Sequence, residues 1–227
     1  NDGQVEMGVE IDDIERTIMC CNGVVFVTNR VFPPVSYVAV SAPTLVNENM
    51  KIMRWAIERY GFDAYLLSMD SYYSFILPTD IDPLSIAKGE PELWEFYYDE
   101  RTKSVKARSY PYDLETKQIA GSAKSPAPSS AQIDDRLEDI IDYHIIVDTI
   151  DLSHQGKIYY RNKANGTVRV DVSAQGGYNV FGGYQIENET PIHVTMENVK
   201  DQTKEGNGKT YIVPNVMQTS IKSVYKA

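Results

Sequence analysis

The residues best able to do chemistry here are three histidines, two cysteines, an acidic cluster and a lysine–threonine pair that follows a glycine. Gly206-Asn207-Gly208-Lys209-Thr210 offers the lysine and hydroxyl of a phosphate loop, but that loop needs a glycine where Thr203 stands and a helix behind it. Tyr211–Val213 reads as a strand instead, so a hairpin turn is expected. His144, His154 and His193 show no metal-ligand spacing. His144 lies on an apolar helix stripe and His193 beside Val194 in a strand, and both are expected to be structural. No serine sits in a G-x-S-x-G elbow. Asp134, Asp135, Glu138 and Asp139 follow helix-surface spacing and not a calcium loop, which predicts a solvated acidic face near a helix N-terminus. Cys20 and Cys21 are adjacent with no third cysteine, which excludes a disulfide framework and a four-ligand zinc site. They are expected as small, half-buried apolar residues. No catalytic residue, cofactor or metal is assigned.

Two glycine-flanked tyrosines remain. In Gly176-Gly177-Tyr178 and Gly182-Gly183-Tyr184, Tyr178 and Tyr184 are candidate ligand contacts, since exposed tyrosine beside flexible backbone suits carbohydrate or protein recognition. The preferred reading makes them strand residues at a bulge. Asn165-Gly-Thr167 and Asn188-Glu-Thr190 match glycosylation sequons.

The frame that must position these residues is 227 residues long, with 22 Lys+Arg against 32 Asp+Glu and a formal net charge of −10. With 42% hydrophobic residues the chain can bury one sizeable core. The negative charge leaves no basic stripe for phosphates, so nucleic acid is not an expected partner. No run of 18 apolar residues occurs, so no transmembrane span is expected. The chain begins with Asn1, and a processed or trimmed front end is expected.

Residues 1–19 are polar and acidic. Val24–Thr28 predicts a strand after the turn signal Asn22-Gly23, stopped by Pro33-Pro34. Met50, Met53, Ala56, Ile57 and Tyr60 recur at helical spacing, with Asn47 as cap and Gly61 as left-handed terminator. A short helical piece over Asp63–Met69 follows. Ser74–Leu77 predicts a short buried strand ended by Pro78. The stretch from Pro91 to Ser130 reads as an excursion: a hairpin of Trp94–Tyr98 against Val105–Ala107, then a mobile Ala120–Ser130 loop. Ile133, Leu137, Ile140, Ile141 and His144 mark a helix with Asp134, Glu138 and Asp142 on its wet side, and Ile145 and Val147 begin a buried strand. Asn165-Gly166 predicts a hairpin between Ile158–Tyr160 and Val168–Val170. Further strands are expected at Tyr178–Phe181, Gln185–Glu187, Ile192–Met196 and Tyr211–Val213. The class is α+β.

One pattern occurs twice. Asn22-Gly23-x-x-Phe26-Val27-x-x-x-Val31-Phe32 is echoed by Asn207-Gly208-x-x-Tyr211-Ile212-x-x-x-Val216-Met217. The echo suggests the closing strand of one unit followed by a second unit that ends the same way.

These residues resemble the fasciclin domain family. Phe75-Ile76-Leu77-Pro78-Thr79-Asp80 is similar to its strand-then-Pro-Thr-acid segment, Tyr143-His144 to the Tyr-His pair closing its amphipathic helix, and Asn207-Gly208 to its closing Asn-Gly strand. Asn22 to Pro33 fits that closing pattern better than the second copy, which has Pro214 inside the segment and Gln218 where proline is usual. The resemblance implies a fasciclin-like fold, a twisted β-sandwich or wedge with several helices packed on it, plus an inserted hairpin and loop. It implies residues 1–40 as the tail of a preceding fasciclin-like domain and linker, and 41–227 as a fasciclin-like domain with an insertion at about 91–130. It also implies a non-enzymatic extracellular or cell-surface adhesion module, in a bacterium an outer-membrane lipoprotein with tandem fasciclin domains. Its ligand would be an extracellular protein or polysaccharide, and the Tyr-His helix end would be the recognition element. The physical reading differs: His144 is expected to be buried and structural, leaving recognition to exposed neighbours. The alternative function is a carbohydrate-binding accessory domain of a cell-surface glycan-handling system.

Overall fold

The computed structural model describes residues 11–31, 34–68, 70–86, 91–173, 177–203 and 206–220. The architecture is mixed α+β, with four sheets and few helices among the described residues. The chain opens with an antiparallel hairpin, β1 (Ile14–Cys20) and β2 (Gly23–Thr28), and continues through α1 (Pro43–Val46), α2 (Lys51–Arg59) and α3 (Phe62–Leu66). Then come β3 (Tyr73–Asp82), β4 (Leu84–Ile86), β5 (Glu92–Asp99), β6 (Ser104–Asp113), β7 (Gln118–Ile119), α4 (Ser130–His144) and β8 (Ile145–Ile146). The last part runs β9 (Gly156–Arg161), β10 (Thr167–Val172), β11 (Tyr178–Phe181), α5 (Gly183–Asn188), β12 (Ile192–Val194), β13 (Val199–Asp201) and β14 (Gly208–Asn215).

The organising element is the sheet ordered β13-β14-β3-β8, in which β3 and β14 run parallel. Its two faces are both covered. Phe75 and Leu77 of β3 point into a core shared with α2, α3, α4, β5 and β6, while Ile76 between them points into a second core with β10, β11, β12 and β14. Successive strand residues face opposite sides, so a strand buried on both must read as an unbroken apolar run. Phe75-Ile76-Leu77 is such a run.

Several expectations change on contact with the structure. Pro78 does not end its strand: β3 runs through it to Asp82. Beyond Phe75 the β8 side of β3 has no ladder partner among the described residues, so a residue without an amide hydrogen costs no sheet bond there. Gln185–Glu187 lies in helix α5, not a strand. Ile192–Met196 is a strand only to Val194. Val147 is exposed, because β8 stops after two residues. Cys20 and Cys21 are exposed, since they close the hairpin tip and face no core. The polar opening residues include β1, whose partner β2 supplies its hydrogen bonds. The Trp94–Ala107 hairpin is no mere excursion, for Trp94, Phe96, Val105 and Ala107 all join the first core. The exposed Ala120–Ser130 loop is tied at Lys124, whose amide reaches the Ser109 carbonyl at 2.7 Å and whose ammonium pairs with Glu92. Met69, Phe32, Pro33 and Gly176 lie outside the described residues.

The helices are set by their ends. Gly61 adopts φ 70° between α2 and α3, a left-handed position that suits glycine. Ser129 caps α4 with a reciprocal box, its backbone amide donating to the Gln132 side chain at 3.0 Å. Ile133, Leu137, Ile140, Ile141 and His144 then face inward.

Candidate functional site

The residues singled out by motif lie around the central sheet, and each is held from inside. Asp80 extends from β3 beneath α2, where its carboxylate accepts the amides of Lys51 at 2.8 Å and Ile52 at 3.2 Å. A helix N-terminus offers unpaired N–H groups and positive potential, so Asp80 acts as a cap supplied from another element. Burial raises its pKa, and the two amides oppose that rise. Phe75 is fully buried, Pro78 stands opposite Val213 of β14, and Thr79 is buried with an unpartnered hydroxyl.

Tyr143 and His144 end α4 and lead directly into β8. The His144 ring is completely buried. Its Nε2 accepts the Met217 amide at 2.9 Å, which leaves the proton on Nδ1 to be donated to the Ile140 carbonyl at 2.6 Å. Burial lowers its pKa to about 4, against the Ile140 bond, so the ring is neutral at physiological pH. Tyr143 is also buried. Its hydroxyl donates to the Thr167 carbonyl at 3.2 Å and accepts the Gly183 amide at 2.8 Å. Asn162, which the sequence reading did not single out, holds the Tyr143 carbonyl at 2.8 Å and the Gly166 amide at 2.6 Å. Its only sequence signal was the turn at Asn165-Gly166.

Asn207 is the most heavily engaged polar side chain of the set. Its oxygen accepts the Val40 amide at 3.0 Å, and its nitrogen donates to the carbonyls of Leu66 at 2.6 Å and Ser68 at 2.7 Å. Gly208 has φ 152°, and a Cβ there would lie 1.9 Å from the Tyr73 carbonyl oxygen. Thr210 donates to the Val40 carbonyl at 2.6 Å, and Lys209 pairs with Asp201 at 3.0 Å. With Asn207 and Thr210 turned inward and β14 starting at Gly208, this segment is a strand entry and not a phosphate cradle.

Tyr178 is a correction. It is buried, edge-on to Tyr211 with ring centroids 5.7 Å apart, so it is no surface contact. Tyr184 is half-buried, and its hydroxyl meets that of Tyr112, whose pKa is pushed up to about 12, chiefly by burial. The glycines beside it serve close approach rather than a bulge: a Cβ on Gly182 would lie 2.5 Å from the Gln218 carbonyl oxygen. Asn165 is exposed with φ 59°, while the Asn188 amide donates to the Tyr184 carbonyl at 2.8 Å.

Asp151, Ser153 and His154 bring together the residue types of a hydrolase triad. Both Asp151 (2.6 Å) and Ser153 (3.0 Å) reach the same ring atom, Nδ1 of His154, and the Ser153 amide also caps Asp151 at 2.8 Å. A triad needs acid and serine on opposite ring nitrogens. This is an exposed turn, in which Ser153 and then His154 hold the Asp151 pKa down to about 2. Asp134 of the acidic helix face accepts the Tyr60 hydroxyl at 2.9 Å. Among the described residues no three His, Cys, Asp or Glu side chains converge as a metal site, and no helix is long and apolar enough to cross a membrane.

No protein-family model matches this chain, and no curated protein matches it.

Proposed function

We propose that this chain is a non-catalytic adhesion module of the fasciclin type, acting outside the cell or on its surface through an extracellular protein or polysaccharide ligand. The observation that carries the reading is convergence. The Phe75–Asp80 segment is β3, Asn207-Gly208 opens its parallel neighbour β14, and Tyr143-His144 leads into its antiparallel neighbour β8. Three segments far apart in sequence thus meet on one sheet as its internal fastenings, in the order the family resemblance requires. In this reading the twisted sheets and packed helices are the fasciclin-like scaffold, and recognition belongs to side chains displayed beside the fastenings. Val147, three residues beyond His144 and 51% exposed, is the nearest such apolar side chain along the chain.

The test is a matrix-protein panel and a glycan array probed with the wild-type chain, Val147→Asp and His144→Ala. Binding to a matrix protein that Val147→Asp weakens about tenfold, at an unchanged melting temperature, is expected. Lost binding by His144→Ala at unchanged stability would overturn the scaffold role of that ring. Saturable glycan binding with no protein ligand would favour the carbohydrate-binding alternative, which has lost Tyr178 to the interior and keeps only Tyr184.

A further inference from the structure

The β1–β2 hairpin carries a surface that the rest of the described chain leaves bare. Met19, Val24, Val25, Phe26 and Val27 are all exposed, on both faces of a two-stranded sheet. Such a ribbon is marginal by itself in water. Val24-Val25-Phe26-Val27 is moreover an unbroken apolar run, the mark of a strand covered on both sides.

The same molecule shows what such a strand looks like when covered. Aligned on the repeated pattern, Phe26 corresponds to Tyr211 and Val27 to Ile212. Thr17 stands opposite Phe26 in β1 as Val199 stands opposite Tyr211 in β13. Both pairs are antiparallel, and in each the second strand begins at Asn-Gly. The difference lies at the other edge. There β14 takes β3 in parallel, with Tyr211 opposite Ile76 and Ile212 opposite Leu77, whereas among the described residues β2 pairs with β1 alone.

We propose that the open edge of β2 is the docking site for a parallel apolar strand of another unit of this fold, carried ahead of this one in the same polypeptide. A bare peptide would fill the edge and leave both apolar faces wet, so the occupant must bring layers as well as a strand. A second copy of this chain does not fit, because its β3 is already paired with β14. The order follows from the later unit, in which the Asn-Gly strand is the last element among the described residues; a unit closed by β2 therefore precedes it. This inference stands on the repeat and the hairpin, and ligand binding does not bear on it.

Hydrogen exchange followed by mass spectrometry tests it on two samples, this chain and the native polypeptide that carries it. The β2 amides are expected to exchange as an open hairpin in the chain alone, and about 100-fold or more slowly in the native polypeptide. Phe26→Asp should lower the melting temperature of the native polypeptide by roughly 5 °C and leave that of this chain unchanged. Three results would overturn the proposal: a native polypeptide with no unit of this fold ahead of β2, equal β2 exchange in both samples, or protection in the chain alone that rises with concentration as scattering reports a dimer.

Discussion

Strands β2 and β14 share a pattern and live in opposite surroundings. Phe26 is 51% exposed and its counterpart Tyr211 is 0% exposed; Asn22 sits in an open turn while Asn207 joins three backbone segments. The pattern therefore encodes a strand fit to be buried on both faces, and whether it is buried depends on the neighbours the fold supplies. Matched substitutions at paired positions can break or sharpen that contrast.

The largest difference is expected at the glycines. Gly208→Ala drives a methyl group into the Tyr73 backbone at a φ that side chains rarely adopt, and should cost more than about 4 kcal/mol or abolish folding. Gly23→Ala meets nothing within 4 Å and should change stability by less than about 0.5 kcal/mol, both read from urea melts. Next come the aromatics. Tyr211→Ala empties a core position and should cost about 3–5 kcal/mol, against under about 1 kcal/mol for Phe26→Ala in this chain. Equal costs would mean that β2 is covered after all.

His144 extends the contrast to pH. Its folded pKa of about 4 lies below the unfolded value of 6.5, so the unfolded chain takes the proton first as pH falls. The stability present above pH 6.5 should drop by roughly 3 kcal/mol on going down to about pH 4, where the folded ring also titrates. His144→Gln should flatten that part of a chemical-denaturation profile; an unchanged slope would assign the pH dependence to other groups. The smallest effect is expected for Tyr178→Phe, which removes a buried hydroxyl with no partner among the described residues and should leave stability equal or slightly higher. A loss of more than about 1 kcal/mol would mean that the hydroxyl is satisfied.

What could be read from the residues was local. The α4 stripe, the Asn165-Gly166 hairpin and the left-handed Gly61 were legible, because period and turn chemistry act over a few residues. Burial of His144 was legible for the same reason. Asp80 as a cap for α2, and Asn207 as a tie among Val40, Leu66 and Ser68, were not, since nothing in the neighbouring sequence names a partner on another element. Gln185–Glu187 misled because apolar spacing in six residues fits strand and helix alike. Tyr178 was legible as a strand residue, the preferred reading, while its packing against Tyr211 was not, since that partner lies on a distant strand.

The tie at Asn207 also bears on how the chain comes into being. Its bond to Val40 spans 167 residues, and that of Thr210 to Val40 spans 170. The parallel pairing of β3 with β14 is likewise formed between the early and final parts of the unit. Contacts so far apart in sequence form slowly, because the intervening loop must close before they gain anything. During synthesis, β3 would leave the ribosome long before its neighbour exists, with an apolar edge open to other chains. The sheet is thus closed by a strand made long after β3, and a polypeptide interrupted before Gly208 should be a substrate for chaperones or proteases rather than a smaller version of this protein.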